Sequence, residues 1–145
     1  MRPKLGDILE ISVEGGYGYL QYTHQHERYG GLVRAFDLVS SNRLASIESL
    51  RFVPIRFSTF FPVRAAKKEG IVTVVGSLPI RESLQDFPIF QARAPGEGPW
   101  WLWDGETEWE VGELTKKEMC YPTRGVVNDT LLREMISSGY TDGGT

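Results

Sequence analysis

All four tryptophans of this 145-residue chain fall in one stretch, Trp100-Trp101-Leu102-Trp103-Asp104-Gly105-Glu106-Thr107-Glu108-Trp109-Glu110-Val111. The chemistry open to such a stretch is recognition: indoles supply apolar anchoring area and carboxylates select cations. Asp104-Gly105 is a turn signal, so the stretch reads as one β-hairpin. A two-residue turn places Trp100 opposite Trp109, and a four-residue loop from Asp104 to Thr107 places Leu102 there. Either register puts Trp100, Leu102, Trp109 and Val111 on one face, and Trp101, Trp103, Glu108 and Glu110 on the other. The first face is apolar and is expected to be core. Carboxylates make the second face costly to bury. Trp101, Trp103, Glu106, Glu108 and Glu110 are therefore the candidate partner-binding surface, the alternative being that the C-terminal helix or a loop covers both indoles and leaves the glutamates at the rim.

Other reactive side chains are few. His24 and His26 sit two apart and share one side of an extended strand. Glu27 and Cys120 are the available co-ligands, but no second pair with ligand spacing exists, so no metal and no cofactor are expected. Cys120 is the single cysteine, which excludes an internal disulfide and fits a reducing compartment. It is expected to be buried and structural. No Gly-x-Ser-x-Gly and no phosphate-binding loop occurs, so no catalytic residue is assigned. Gly15, Gly16 and Gly18 join two strands and read as turn glycines. The alternative to a binding surface is a small enzyme or a ligand-binding barrel. Its pocket would be lined by Tyr17, Tyr19, His24 and His26.

Charge is distributed unevenly. The net is −3, yet residues 97–145 carry 4 basic and 10 acidic side chains, a local net of −6. Residues 1–70 carry 10 basic and 7 acidic ones. An acidic third steers basic partners and repels nucleic acid, and the N-terminal excess is too small for a nucleic-acid footprint. The N-terminus has no apolar run behind its basic residues, and no stretch has the length of a membrane span. A cytoplasmic protein with no membrane partner is expected.

The elements that must position these residues are mostly strands. Leu9, Ile11 and Val13 alternate with Glu10 and Ser12, and Gly15-Gly16 turns the chain into Tyr17–Thr23. Gly31–Phe36 completes a meander. Phe52–Phe61 is β-branched and aromatic, with Pro54 demoting part of it. A helical turn is expected at Val63–Glu69, stopped by Gly70. Ile71–Val75 reads as a buried central strand, and Phe87–Ala92 as another strand. Asn128 caps a helix with an apolar stripe of Leu131, Leu132, Met135 and Ile136, closed by Gly139. The expected fold is mainly β: a curled antiparallel sheet or partly open β-barrel with a C-terminal α-helix, an α+β sheet being the alternative. Residues 1–140 form a single domain, and 141–145 a frayed tail.

The opening Gly6-Asp7-Ile8-Leu9-Glu10-Ile11, a short glycine-containing turn and Tyr17-Gly18-Tyr19-Leu20-Gln21-Tyr22 resemble the start of the immunity protein 26 family of bacterial polymorphic toxin systems. The resemblance implies a small cytoplasmic protein that binds and neutralises a cognate toxin without catalysis. It transfers no site residue beyond this framework. Together with the acidic third, it makes a basic protein toxin the expected partner. Self-association through the tryptophan face is the remaining possibility.

Overall fold

The computed structural model describes residues 2–94 and 96–143. Two antiparallel sheets carry the fold. The larger has five strands, β1 (Asp7–Val13), β2 (Gly16–His26), β3 (Gly30–Ser40), β4 (Ile55–Phe61) and β5 (Val72–Ser77), in the order β4-β3-β2-β1-β5. The smaller comprises β6 (Phe90–Arg93), β7 (Trp100–Trp103) and β8 (Glu108–Gly112), in that order. Two helices, α1 (Val63–Lys68) and α2 (Asp129–Ser138), complete the framework. The mainly β reading with a C-terminal helix therefore holds, and neither sheet closes into a barrel.

The period-2 pattern decides which side chains meet. Leu9, Ile11, Leu20, Tyr22, Val33, Ala35, Phe57 and Phe61 share one face of the large sheet. There they bury against Val63 and Ala66 of α1 and Leu132 and Ile136 of α2. The Asn128 side chain accepts the Leu131 N–H, and Gly139 closes the helix at φ 79°. These are the caps expected of this sequence. Gly18 allows α2 its close approach: a Cβ there would lie 2.7 Å from Ile136 Cγ2.

The opposite face carries two apolar patches with a polar row between them. At one end Ile8, Tyr19 and Phe36 pack under Leu50 and Leu78. At the other, Leu32 and Phe60 pack under Phe90 and Trp103 of the small sheet. Between them lie Gln21, Thr23, Arg34 and Ser58, and Glu10 stands beside Tyr19 at the outer end of the first patch, all buried. Each finds a partner, as burial demands. Gln21 Nε2 donates to the carbonyls of Gly6 and Leu78. Arg34 donates to Thr23 Oγ1, Ser58 Oγ and the Leu84 carbonyl. The Tyr19 hydroxyl donates to Glu10, which also pairs with Arg43 at 3.0 Å.

Residues 122–127 form a strap that joins the outer edges of both sheets. Gln91 N–H of β6 donates to the Pro122 carbonyl, Arg124 N–H to the Gln91 carbonyl, and Val127 N–H to the Phe60 carbonyl of β4. The strap protects two edges that would otherwise offer unpaired backbone groups.

Four expectations are corrected. The β-branched run at Ile71–Val75 is an edge strand beside β1, not a central one; α1 supports it. β3 continues to Ser40, because Gly18 and Tyr17 of the long β2 pair with Val39 and Ser40. The first hairpin turns on Glu14-Gly15, and Gly16 already belongs to β2. Gly16 is needed because a Cβ would lie 2.0 Å from the Ser40 carbonyl oxygen. Finally, the tail is pinned at Asp142 rather than frayed. Its N–H donates to the Arg56 carbonyl, and its carboxylate accepts the Ser58 N–H at 2.9 Å. Gly144 and Thr145 lie outside the described residues.

Candidate functional site

The tryptophan hairpin forms with the four-residue loop. Asp104 N–H donates to the Thr107 carbonyl, and the Asp104 carboxylate accepts the N–H groups of Glu106 and Thr107. These backbone donors hold its pKa below the usual carboxylate value. Leu102 pairs with Trp109, Trp101 with Glu110 and Trp103 with Glu108. Side-chain faces therefore divide as the register implies, except that a bulge places Trp100 opposite Gly112.

Burial runs differently from expectation. Trp103, assigned to the binding face, is only 6% exposed. Its ring packs among Phe60, Phe87, Phe90, Tyr29 and His26 with centroids 4.9–6.0 Å apart. Trp109, assigned to the core, is 38% exposed. Trp100, also assigned to the core, is half-buried under the Arg93 guanidinium at 5.0 Å. Trp101 is half-buried. The physical reason is position within the sheet. The mixed face turns inward, towards Phe60 and Phe87, and is apolar on β6 and β7. Its carboxylates stand on β8, the outermost strand, and reach past the edge into water. Glu106, Glu108 and Glu110 are all exposed. Glu108 is engaged by Arg124 at 2.8 Å, and that guanidinium lies 5.5 Å from the Trp103 ring centre. Alternation assigns faces, not edges, so it does not by itself choose between a binding face and a covered indole with glutamates at its rim.

The resulting surface is one strand edge. Glu106, Glu108, Trp109, Glu110 and Glu113 are exposed along it, and no described residue pairs with the outer side of β8. Glu106, Glu110 and Glu113 have no ion-pair partner among the described residues. Glu113 is not among the residues singled out from the sequence, although it continues the same acidic run.

The four residues of the alternative pocket are not brought together. Tyr19 is buried between Glu10 and the Leu44 N–H, and burial raises its pKa above the usual phenol value. Tyr17 lies under the Arg43 guanidinium at 5.2 Å. His24 and His26 share one side at the far end of β2, beside Phe87 and the Asp104–Glu106 turn. Their ring nitrogens are occupied. His24 bonds Thr23 Oγ1 and the Gln85 carbonyl, and burial lowers its pKa below the usual imidazole value. His26 Nδ1 accepts the N–H groups of Arg28 and Tyr29, and Nε2 donates to the Gly105 carbonyl at 2.8 Å. Both histidines thus fasten loops to β2.

Cys120 is exposed, a correction to its expected burial. It sits on a short 3-10 turn, Glu118–Cys120, in which no residue is buried. Among the described residues no three of His, Cys, Asp and Glu gather in a metal-binding cluster. No helix among them is long and apolar enough to cross a membrane.

Fold and surface define a mainly β protein with an acidic, tryptophan-bearing sheet edge. No family model, curated protein or solved structure matches the chain.

Proposed function

We propose that this chain is a non-enzymatic binding protein of the immunity type, which captures a basic protein toxin on the outer edge of β8. The observation that supports it is the exposed Trp109 on β8, an edge strand whose outer side is unpaired among the described residues, flanked along the chain by the exposed carboxylates Glu106, Glu108, Glu110 and Glu113. An edge strand offers backbone donors and acceptors to an extended partner segment. Glutamates along it favour a segment rich in Lys or Arg and raise its association rate. The indole supplies the desolvated anchor that most hot spots need. The resemblance of Gly6–Ile11 and Tyr17–Tyr22 to the immunity protein 26 opening points the same way.

The experiment is a rescue assay. The toxin-like product encoded next to this gene is induced in cells with and without the chain. Growth restored by the wild type, and lost with Trp109→Ala combined with Glu110→Lys, supports the reading. Absence of a toxic neighbour, or full rescue by the double variant, contradicts it.

A further inference from the structure

A second site lies away from the hairpin, where the tail crosses β4. Between β4, the strap and α2 is a groove of about 400 Å³, lined by Ser58, Val126, Leu131, Met135, Tyr140 and Asp142 among others. Two of its walls are apolar side chains left outside the core: Val126 is 54% exposed and Leu131 46%. Leu131 belongs to the stripe expected to be buried, but α2 turns only Leu132 and Ile136 fully inward. The volume falls in the range of small-molecule sites.

The polar end of this groove is unusual. Asp142 is half-buried, and among the described residues the single hydrogen bond its carboxylate accepts comes from the Ser58 N–H. Two cations stand near it: the buried Arg34 is committed to Thr23, Ser58 and the Leu84 carbonyl, and Arg56 of β4, whose carbonyl accepts the Asp142 N–H, is committed to Asp37 and the Ile136 carbonyl. Arg124, on the strap, is committed to Glu108. Glu134 of α2 adds a second carboxylate to the lining. A half-buried carboxylate at the end of an apolar groove is stabilised by a cation that brings its own apolar body.

We infer that this groove binds an amphipathic organic cation, an ammonium or guanidinium on an aliphatic or aromatic body. Asp142 takes the cationic head, and Val126, Leu131 and Met135 take the body. Lysine-like side chains and free amines share this chemistry. Burial also pushes the Asp142 pKa up to about 7, with Arg34 and the Ser58 N–H opposing the rise. Around it stand Arg34 of β3, Tyr140 of the tail, Arg124 of the strap and Glu134 of α2. Occupancy therefore increases as pH rises through neutrality, because the ionised form is the one a cation needs.

The test is a titration of the 15N-labelled full chain at about pH 8, above the Asp142 pKa. Hexylammonium is the probe, with hexanol and hexanoate as neutral and anionic counterparts of the same body. Saturable shifts of the Val126, Leu131, Met135 and Asp142 amide signals are expected with hexylammonium. Binding of hexanol is expected to be about tenfold weaker or worse, the worth of one charge-assisted hydrogen bond. Asp142→Asn retains an oxygen for the Ser58 N–H and is expected to reduce hexylammonium to the level of hexanol. Leu131→Arg, at an exposed position, fills the mouth with a tethered cation and is expected to block the probe. A blocked tripeptide, N-acetyl-Gly-Lys-Gly-amide, that shifts the same signals assigns the site to a protein lysine; a response to hexylammonium alone assigns it to a free amine. Equal binding of hexylammonium and hexanol, undiminished binding to Asp142→Asn, or no shifts at these residues overturns the inference. None of these readouts involves the β8 edge, so failure here and failure of the toxin reading are separate events.

Discussion

His26 Nε2 lies 2.8 Å from the carbonyl oxygen of Gly105, and this bond ties the tip of the tryptophan hairpin to β2. The other ring nitrogen accepts two backbone N–H groups, from Arg28 and Tyr29, so one side chain organises two loops. His26→Ala removes all three bonds and leaves half-buried groups without partners. It is expected to cost about 1–3 kcal/mol. Amide exchange at Gly105 and Glu106 should accelerate more than exchange in β1. Uniform exchange changes would show that the hairpin is held by Trp103 alone.

The two central indoles are expected to separate cleanly. Trp103→Ala empties an aromatic cluster and should cost roughly 3–5 kcal/mol in urea unfolding. Trp109→Ala should change stability by no more than about 0.5 kcal/mol, as exposed positions usually do. Equal losses in the two variants would contradict the burial pattern described for the hairpin.

Much of the framework was legible in the sequence, and the reasons are physical. Asn128 and Gly139 are strong local signals, because a cap satisfies backbone groups within one turn. The first two strands were legible because Leu9, Ile11 and Val13 alternate with polar residues. Strand order was not. Ile71–Val75 has a central-strand composition, yet it lies at the edge beside β1, with Val72 buried and Thr73 and Val75 exposed. The candidate surface was half legible. Its carboxylates, Glu106, Glu108 and Glu110, are exposed as expected. The indole that accompanies them is Trp109 rather than Trp103. Choosing between them requires the inward direction of the small sheet, which depends on Phe60 and Phe87, far away in sequence. Tyr17, Tyr19, His24 and His26 share a strand but belong to two separate apolar clusters, and only tertiary packing reveals that.

The contact between Gly18 and Ile136 makes α2 docking sensitive to a single methyl group. A Cβ at Gly18 would stand 2.7 Å from one Ile136 carbon and 3.2 Å from another. Gly18→Ala is expected to destabilise the fold by roughly 1–3 kcal/mol through overpacking. Ile136→Ala removes the clashing Cγ2, so it should cost less in the Gly18→Ala background than in the wild type. Wild-type stability in Gly18→Ala would show that α2 shifts without cost.

Asp142 gives stability a distinct pH dependence. Its folded pKa, about 7, lies above the ordinary 3.8, so the folded state holds the proton more tightly than the unfolded chain. The associated stability is fully present below the ordinary value. It is lost as pH rises from about 4 through about 7. The loss is on the order of a few kcal/mol by linkage. Asp142→Asn should flatten that slope in urea unfolding measured across this window. An unchanged slope would assign the dependence to other groups.

The most direct test of the proposed function is the affinity of the cognate toxin for the wild-type chain and for Trp109→Ala combined with Glu110→Lys. Both substitutions lie on exposed positions of β8, so circular dichroism and Tm should be unchanged. Loss of an aromatic anchor and reversal of a facing charge are together expected to raise Kd by about 100-fold or more. An unchanged Kd would contradict the assignment of the β8 edge as the binding surface.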